Sequence, residues 1–580
     1  MLEQRYRWKN KQLRKHVSIL DGKRSPTKLL KNATYLNQTF RKWMEAHIWI
    51  YEDRIIYVGD MLPQKLDDCE IVDCTGLLLV PGYIEPHAHP FQLYNPHSLA
   101  RYASQFGTTT FINDNMVLVL QLEKEKAFSL IEALKNVPAS MYWWCRFDAQ
   151  TEIEQEEITF SHSNVKAWLE HDCVLQGGEL TGWPKLLDGD DMMLLWMQEA
   201  KRLRKKIEGH FPGASEKTLA KMMLLGADCD HEAMNGKEIY NRLMQGYTVS
   251  LRHSSIRPDL PILLDEIQKL GINHYDSFMF NTDGSSASFY ENGMNDMMIR
   301  MAIEKGIPVI DAYNMATINI AKYYNMDYWH GQIATGRIAH INFLTDERNP
   351  TPISVLSKGE WLKKDGQIVE AYEQMNWDGF EFSPLNIDWE ISLDDLQFSM
   401  PFGIKMENAV ITKPYSISIE MSCSELSNLH DESFFMLIDR EGKWRINTLL
   451  KGFTKDLDGL ASSFSNTGDI LLIGKKKEDM MKAFNRMKEI GGGIVICEQG
   501  EIILEIPLTI SGVMSDKRVE DLINEEKKLL IYLKQKGYRF EDPVYSLLFF
   551  SSTHLPYIRI TQQGMYDVMN KMVLFPSIMR

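Results

Sequence analysis

The sequence predicts an α/β protein built on a (β/α)8 TIM barrel, with a small flanking β-sandwich and a C-terminal α/β domain. Three observations support this: strand-like runs alternate with helical patterns over residues 77–325, strand patterns flank that region, and residues 387–580 carry a separate mixed pattern. Eight strands alternating with helices over roughly 250 residues is typical of a (β/α)8 barrel. A doubly wound sheet is the competing architecture, and it would bind its ligand at a switch point instead of around a ring.

Composition and charge restrict the class of protein. Of the 580 residues, 44% are hydrophobic and 25% are charged, as in ordinary globular proteins. The 79 acidic residues outnumber the 64 basic ones. A protein that binds duplex nucleic acid normally carries a basic face, so we expect no nucleic-acid partner. The sequence contains no run of 18 apolar residues, so we expect no membrane-spanning helix.

The cysteines and the N-terminus predict a cytoplasmic location. The seven cysteines are widely spaced and include no Cys-x-x-Cys pair, which favours buried free thiols over a disulfide framework. Residues 1–15 are rich in Lys and Arg, but no apolar segment follows them, unlike in a signal peptide.

Residues 1–76 are expected to form the first part of the small β-sandwich. Alternating apolar runs on either side of Glu52 and Asp53 predict a hairpin. A hairpin of this size is not stable alone and needs partners from elsewhere in the chain. Residues 326–375 carry further strand and turn patterns, and we expect them to complete the same β-unit.

The barrel is expected over residues 77–325, with amphipathic helices between its strands. Ser215, followed by Glu216 and a Leu/Met stripe, predicts one helix start, and a last helix is predicted over 311–326. The candidate strands cover 77–89, 107–114, 140–147, 173–180, 205–211, 226–232, 248–255 and 277–284.

The C-terminal third is expected to be a separate domain. Residues 376–386 predict a linker, because they contain Gly379 and Pro384 and show no clear period. Residues 387–580 then combine the strand pattern GDILLIG, the helical pattern KKEDMMKAFNRMKEI and the run GGGIVICEQGEIILEIPL. We expect this domain to contribute to the pocket wall or to subunit contacts.

Histidines and carboxylates gather at the ends of the predicted barrel strands. In a strand, residues i and i+2 point to the same side, so His87 and His89 can share one metal ion. The C-terminal strand ends converge on the active site of such a barrel, and this residue chemistry suits divalent metals. Six ligands, one of them able to bridge, suggest two ions. The candidate ligands are His87, His89, Glu179, His210, His231 and Asp283.

Single members of this set also have structural interpretations. Glu179 could cap a helix, His210 could be a buried core histidine, and Asp283 could form a turn. The adjacent residue Glu232 is expected to point away from His231 and so to face the substrate, with a helix cap as its structural alternative.

The motifs around these residues resemble those of the amidohydrolase superfamily and, within it, the bacterial adenine deaminase family. The resemblance covers nearly the whole chain. Its motifs are LLVPGYIEPHAHP (78–90), GHFPG (209–213), GADCDHE (226–232), AYNMATINIAKYY (312–324) and EIGGGIVICEQGEIILEIPLTISGVMSD (489–516).

The resemblance implies the hydrolysis of adenine to hypoxanthine and ammonia, a reaction of purine salvage. It implies two divalent ions per chain, Mn²⁺ or Fe²⁺ with Zn²⁺ as a further candidate, held by the six residues above. Glu232 and Asp283 would be catalytic, and Arg252 would contact a small-molecule purine substrate. Whether the chain forms a homo-oligomer stays open.

The sequence also departs from the family pattern. Gly284 and Ser285 follow Asp283 where charged residues are usual, and His253 stands where an acidic residue is usual. His340 replaces an Asp, and SFSNTGDILLIG lacks the family's histidine. The metal set survives these changes. Two alternatives therefore stay open: an amidohydrolase acting on another aminopurine or a cyclic amide, and a catalytically inactive binding or regulatory homologue.

Overall fold

The structure is a computed structural model that describes residue 3 and residues 7–580. Its N-terminal part contains the predicted hairpin, which turns at Glu52 and Asp53; Glu52 has a φ of 53°, in the left-handed region. The elements before the barrel are α1 (Asn10–Leu20), β1 (Lys28–Asn37), β2 (Lys42–Tyr51), β3 (Arg54–Gly59), β4 (Glu70–Asp73) and β5 (Leu78–Pro81).

Eight parallel strands form the central barrel. They are hydrogen-bonded in chain order, and the N–H of Thr282 donates to Oε1 of Glu85 at 3.3 Å, which brings the last strand beside the first. Each strand lies inside one of the predicted runs, so the predicted barrel is confirmed. The strands are β6 (Tyr83–Ala88), β7 (Thr108–Asn113), β8 (Ser140–Cys145), β9 (Val174–Leu180), β10 (Lys206–Gly209), β11 (Cys229–Asp230), β12 (Thr248–Arg252) and β13 (Phe278–Asn281).

The run 77–89 was expected to be one barrel strand, and that expectation is wrong. The chain leaves the flanking sheet after β5 and enters the barrel at β6, with Gly82 between them. The N–H of Gly82 still donates to His340 O at 2.9 Å, whereas the N–H of Tyr83 already donates to Gly107 O in the barrel at 2.8 Å. A Cβ at position 82 would come within 2.1 Å of Oγ1 of Thr109, so only glycine fits at this change of sheet.

Helices cover the outside of the barrel. The Ser215 side chain accepts a hydrogen bond from the N–H of Thr218, which confirms the predicted helix start. The helices are α2 (Pro96–Ser104), α3 (Met116–Gln121), α4 (Lys124–Leu134), α5 (Glu156–Thr159), α6 (His162–Glu170), α7 (Trp183–Leu187), α8 (Asp191–Arg202), α9 (Glu216–Leu225), α10 (Gly236–Met244), α11 (Leu260–Lys269), α12 (Asn295–Glu304), α13 (Val309–Met315) and α14 (Ile318–Tyr323), with a 3₁₀ helix at Ala287–Asn292.

The helix predicted over 311–326 is two helices in the structure. Thr317, between α13 and α14, has a non-helical backbone with φ −139° and ψ −93°. Its hydroxyl donates to the carbonyl of Tyr313 at 2.7 Å, so a side chain competes locally with the backbone hydrogen bonds of a continuous helix.

After the barrel, the chain returns to the flanking sheet. The returning strands are β14 (Ile341–Leu344), β15 (Ser354–Ser357), β16 (Glu360–Lys364) and β17 (Gln367–Ile368). The nine-stranded sheet has the order β17-β16-β15-β14-β5-β1-β2-β3, with β4 beside β1, so strands from both sides of the barrel share it. The segment 376–386 contains a 3₁₀ helix at Asp378–Phe380 and buries Phe382 against the barrel core.

The C-terminal part contains a nine-stranded, mostly antiparallel sheet and a three-stranded sheet. The elements are β18 (Phe402–Met406), β19 (Thr412–Ser416), β20 (Glu432–Ile438), β21 (Trp444–Lys451), β22 (Gly459–Ser462), β23 (Ile470–Gly474), α15 (Lys477–Glu489), β24 (Gly493–Glu498), β25 (Glu501–Pro507), α16 (Val519–Gln535), α17 (Pro543–Phe549), β26 (Ile558–Thr561), β27 (Gly564–Asp567), β28 (Met572–Pro576) and β29 (Ile578–Met579). The larger sheet has the order β19-β18-β21-β20-β23-β22-β24-β25, with β29 beside β21, and the smaller one has the order β26-β27-β28.

Strand β20 shows why the C-terminal sheet packs on two sides. All seven of its residues are buried, and successive side chains of a strand point to opposite faces. Phe434 and Met436 pack in the core that contains α15, whereas Phe435 and Leu437 pack in a core shared with α16 and barrel helix α2. The second face therefore fixes the C-terminal part against the barrel. In the described part of the chain, no helix is long and apolar enough to cross a membrane.

Candidate metal centre and active-site cavity

The structure brings the six predicted ligands together at one end of the barrel. Each lies at or just beyond the C-terminal end of its strand, as parallel barrel topology dictates. Three of them are buried and three are half-buried. The buried ones are His87, Glu179 and His231, and the half-buried ones are His89, His210 and Asp283.

Two groups of ligand atoms can be distinguished. In the first, Nε2 of His87 and Nε2 of His89 lie 3.2 and 3.3 Å from Oδ1 of Asp283. In the second, Nδ1 of His210 lies 3.3 Å from Nε2 of His231. The ligand atoms of His87, Glu179, His231 and Asp283 all lie within 4.8 Å of one another, close enough to coordinate a single ion. The same holds for those of His210, His231 and Glu232.

Glu179 lies between the two groups. Its Oε1 is 2.6 Å from Nδ1 of His210 and 3.4 Å from Nε2 of His231. Its Oε2 is 3.9 Å from Nε2 of His89, in the first group. One carboxylate oxygen thus faces each group, which is the arrangement that a bridging carboxylate between two ions requires.

The donor atoms fit divalent metal ions. Imidazole and carboxylate together suit borderline and hard divalent cations. Nδ1 of His87 is bonded to Glu208, while its buried Nε2 lies 3.2 Å from Oδ1 of Asp283 without a well-aligned hydrogen bond. A buried nitrogen that makes no well-aligned hydrogen bond and lies among other donor atoms fits the role of a metal ligand.

Glu208 supports two of the histidines and was not predicted from the sequence. This buried carboxylate accepts hydrogen bonds at Oε1 from Nδ1 of His87 at 2.9 Å and from Nδ1 of His231 at 3.1 Å. With Nδ1 protonated and bonded, each ring directs Nε2 toward another ligand, Asp283 for His87 and Glu179 for His231. The available signal was spacing: Glu208 lies two residues before His210 in the predicted strand run 205–211, where residues i and i+2 point to the same side.

Asp114 and Arg146 form a second support that sequence reasoning missed. Asp114 accepts from Nδ1 of His89 at 2.9 Å and from two nitrogens of Arg146, each at 2.8 Å. Nη2 of Arg146 also lies 2.9 Å from Oε2 of Glu179. Both residues directly follow barrel strands, β7 and β8, for which no site residue had been proposed.

The site holds opposite charges in close contact. Burial raises the pKa of Glu179, but Arg146 and His210 more than offset this and hold that pKa well below its usual range. Arg252 and the nearby histidines do the same for the pKa of Asp283. Burial lowers the pKa of His89, yet its bonds to Asp114 and Asp283 raise that pKa to about 9.

Glu232 is buried beside the second group. Its Oε1 is 3.5 Å from Nδ1 of His210 and 3.5 Å from Nε2 of His231. Its side chain and that of His231 therefore converge, contrary to the expectation that they diverge. The reason is local: β11 ends at Asp230, so the pleat that alternates side chains has already ended at these two residues.

Two arginines hold Glu232. Nη1 of Arg252 lies 2.5 Å from Oε1 of Glu232 and 2.5 Å from Oδ2 of Asp283, and so joins the two carboxylates. Nη1 of Arg257 lies 2.9 Å from Oε2 of Glu232. Burial raises the pKa of Glu232, but Arg252, His210 and Arg257 together bring it well below its usual range.

A cavity of about 820 Å³ is lined by His89, Glu179, His210, Glu232 and Asp283. The barrel supplies its floor, and the C-terminal part supplies a wall formed by residues 408–411, 464–468 and 539–556. Most of the lining is apolar, as in small-molecule sites. The predicted contribution of the C-terminal domain to the pocket wall is thus present in the structure.

Some residues that depart from the family motifs lie at the site, and others lie away from it. Gly284 has a φ of +56°, and a Cβ there would come within 2.6 Å of Cβ of His89, so glycine allows the close approach of this ligand. Asn466, in the segment that lacks the family histidine, lines the cavity. His340 contacts Ser140 and Ser357 at 2.9 and 3.0 Å and does not line the cavity.

Comparison with known proteins finds family matches for both the barrel region and the C-terminal part. Residues 78–362 match the amidohydrolase family, and residues 409–572 match the adenine deaminase C-terminal domain. A Bacillus cereus protein named "Putative adenine deaminase" is 59% identical, covering 99% of this chain and 97% of its own. An adenine deaminase of Listeria welshimeri is 28% identical, covering 96% and 97%. A β-aspartyl dipeptidase structure from Fervidobacterium islandicum has a TM-score of 0.46 at 18% identity, covering 60% of this chain and 99% of that one.

Proposed function

The chain belongs to the adenine deaminase family of the amidohydrolases, and from this premise we propose that it converts adenine and water to hypoxanthine and ammonia. Membership of this family makes it a hydrolase of C–N bonds. The observation that carries the proposal is the cluster of four histidines and two carboxylates at the barrel mouth, of which His89, Glu179, His210 and Asp283 line the cavity. The reaction would serve purine salvage in the cytoplasm.

Family membership and the donor set indicate the use of divalent metal, and we propose two ions, Mn²⁺ or Fe²⁺, per chain. His87, His89 and Asp283 would hold the first. His210 and His231 would hold the second, with Glu179 shared between the two. When bound, such ions supply Lewis acidity that activates water for attack near neutral pH.

Asp283 is proposed to accept the proton that the attacking water loses. Its low pKa keeps it ionised and able to accept, and its Oδ1 faces the two histidines of the first group. After this first proton has passed on, Asp283 would take the second proton from the hydroxyl formed on C6 and give it to the exocyclic amine, which leaves as ammonia when the C–N bond breaks. General acid–base help of this kind contributes roughly 10²–10⁴-fold.

Glu232 is proposed to protonate a ring nitrogen of the purine, so that C6 can accept the nucleophile. Because Arg252 and Arg257 hold it as a carboxylate, it must first receive a proton. Asp283 is the nearby source, since one nitrogen of Arg252 contacts both carboxylates. We propose that Arg252 also contacts the substrate, since it lines the cavity.

An ammonia-release assay on the metal-loaded protein tests this function. Adenine, other aminopurines and cyclic amides would be screened, with products identified by chromatography. The proposal predicts one ammonia and one hypoxanthine per adenine consumed, and loss of turnover after the metal is removed. Turnover of another aminopurine or of a cyclic amide, without turnover of adenine, would replace the proposed substrate. A protein that binds two metals and hydrolyses nothing would favour a binding role.

A further inference from the structure

His554 extends from the C-terminal part into the cavity beside the metal-ligand set. It is half-buried and lines the cavity together with His210, Glu179 and Gln150. Its ring meets that of His210 edge-on, with centroids 5.5 Å apart and an interplanar angle of 85°. It is the histidine that the C-terminal part contributes to the lining of this cavity.

The segment that carries His554 is fastened to the barrel. The N–H of Thr553 donates to the carbonyl of Gln150 at 2.8 Å, and the hydroxyl of Thr151 donates to the carbonyl of Ser551. Gln150 in turn donates through Nε2 to Oε2 of Glu179 at 3.2 Å. The same barrel loop therefore contacts both the shared carboxylate and the His554 segment, so their relative positions are fixed.

The other side of the segment is fixed from within the C-terminal part. The guanidinium of Arg559 donates to the carbonyl of Phe549 at 3.2 Å and to that of Pro556 at 3.4 Å. These two carbonyls flank His554 in the chain. A side chain held at both ends of its loop is preorganised, which is the condition for contributing to ligand binding at low entropic cost.

The polar atoms of His554 are not satisfied by the protein. Nδ1 is buried and has no hydrogen-bond partner among the described residues. Its ring contacts are His210 and Phe549, which stands edge-on at 5.4 Å. An imidazole offers hydrogen-bonding capacity at both nitrogens, and a buried polar group normally has a partner. Because His554 lines the cavity, a ligand bound there could form the hydrogen bond that the protein does not provide.

We propose that His554 is a substrate-positioning residue, supplied by the C-terminal part, that hydrogen-bonds the heterocycle above the His210 side of the metal-ligand set. A purine presents ring nitrogens and an exocyclic amine along its edge, which match an imidazole that both donates and accepts. This inference rests on the proposed function. It assigns to the C-terminal part a direct contact with substrate, beyond forming a wall.

The competing explanation is that His554 only fills space against Phe549 and His210. Two replacements separate packing from hydrogen bonding. His554→Phe keeps a flat ring but removes both nitrogens, and His554→Gln keeps a donor and an acceptor but removes the ring. His97→Phe is a matched control, because His97 is also half-buried, stands edge-on to Tyr372 at 5.4 Å and has an unpaired Nε2, yet does not line the cavity.

The experiment measures KM and kcat for adenine, the Kd of hypoxanthine by calorimetry, metal content and melting temperature, all on metal-loaded full-length protein. For His554→Phe, we expect KM and Kd to rise by roughly tenfold, the scale of one lost hydrogen bond, with metal content unchanged. His554→Gln should lose less than His554→Phe, and His97→Phe should match the wild type.

Each outcome is decisive. If His554→Phe has the KM and Kd of the wild type while the wild type deaminates adenine, the inference is overturned and the proposed function stands. If His554→Phe loses metal, the residue supports the ligand set instead of the substrate, which also overturns the inference. If the wild type hydrolyses a different compound, the proposed function fails, and the same comparison on that compound decides the role of His554.

Discussion

Replacing Glu208 by glutamine tests how the site prepares its histidines. The substitution keeps the shape of the side chain but removes the negative charge that accepts hydrogen bonds from His87 and His231. Burial raises the pKa of Glu208, but the two histidines bring it to about 2, so the wild-type side chain is an anion at pH 7. In the wild type, Nε2 of Gln176 donates to Oε2 of Glu208 at 3.0 Å. In the variant, the new amide nitrogen would face this donor and could not accept its hydrogen bond.

The size of the effect follows from these two hydrogen bonds. A hydrogen bond to a charged group stabilises by about 1.5–3 kcal/mol and a neutral one by about 0.5–1.5 kcal/mol. Loss of charge assistance at both bonds therefore costs about 2–3 kcal/mol. The wild-type carboxylate also favours protonated histidines, which compete with metal, so part of this cost is offset. We expect metal affinity to fall by about 10–100-fold, the usual range for a lost outer-shell partner.

Competition with a chromophoric chelator at pH 7.5 measures this change directly. Glu432→Gln is the control, because Glu432 is also buried but pairs with Lys451 at 2.9 Å in the C-terminal sheet. The control should bind metal within about twofold of wild type. Wild-type affinity in Glu208→Gln would refute the claim that this carboxylate fixes the ring orientation of the two histidines.

Four further substitutions give distinct results. His87→Ala and His89→Ala should each abolish metal binding and turnover, and full metal content with full activity in either variant would contradict the assignment. Glu232→Gln should keep its metal while kcat falls by about 10²-fold or more; loss of metal instead would make Glu232 a ligand. Burial raises the pKa of Glu526 to about 8. Between pH 5 and pH 8, the carboxyl of Glu526 ionises in the unfolded state but stays protonated in the folded state. The free energy of unfolding of the wild type should therefore fall over this range, compared with that of Glu526→Gln. Urea midpoints with equal pH dependence would contradict this.

The sequence was sufficient for the barrel and for the six candidate ligands, because both depend on local pattern. Strand-length runs alternate with helical runs, and a polar residue at a strand end faces the barrel mouth wherever the other strands lie. The change of sheet at Gly82 could not be predicted, because 77–89 is one continuous strand-like run. Its division is set by bonds to His340 and Gly107, which are distant in the chain.

The supporting residues were missed for a similar reason. Glu208 lies 121 residues from His87, and Arg146 lies 32 residues from Asp114. No local pattern connects a carboxylate on one strand with a histidine on another; only the closed barrel does. The cavity wall formed by the C-terminal part depends on docking between two regions, and only its general location was predictable.

Anomalous diffraction from a crystal of the metal-loaded protein tests the central claim most directly. We predict two peaks at the barrel mouth, roughly 3.5–4 Å apart as in other two-metal sites. One should be coordinated by His87 and His89, the other by His210 and His231, with Glu179 contacting both. An empty site, or a ligand supplied by a side chain beyond residue 387, would contradict the account.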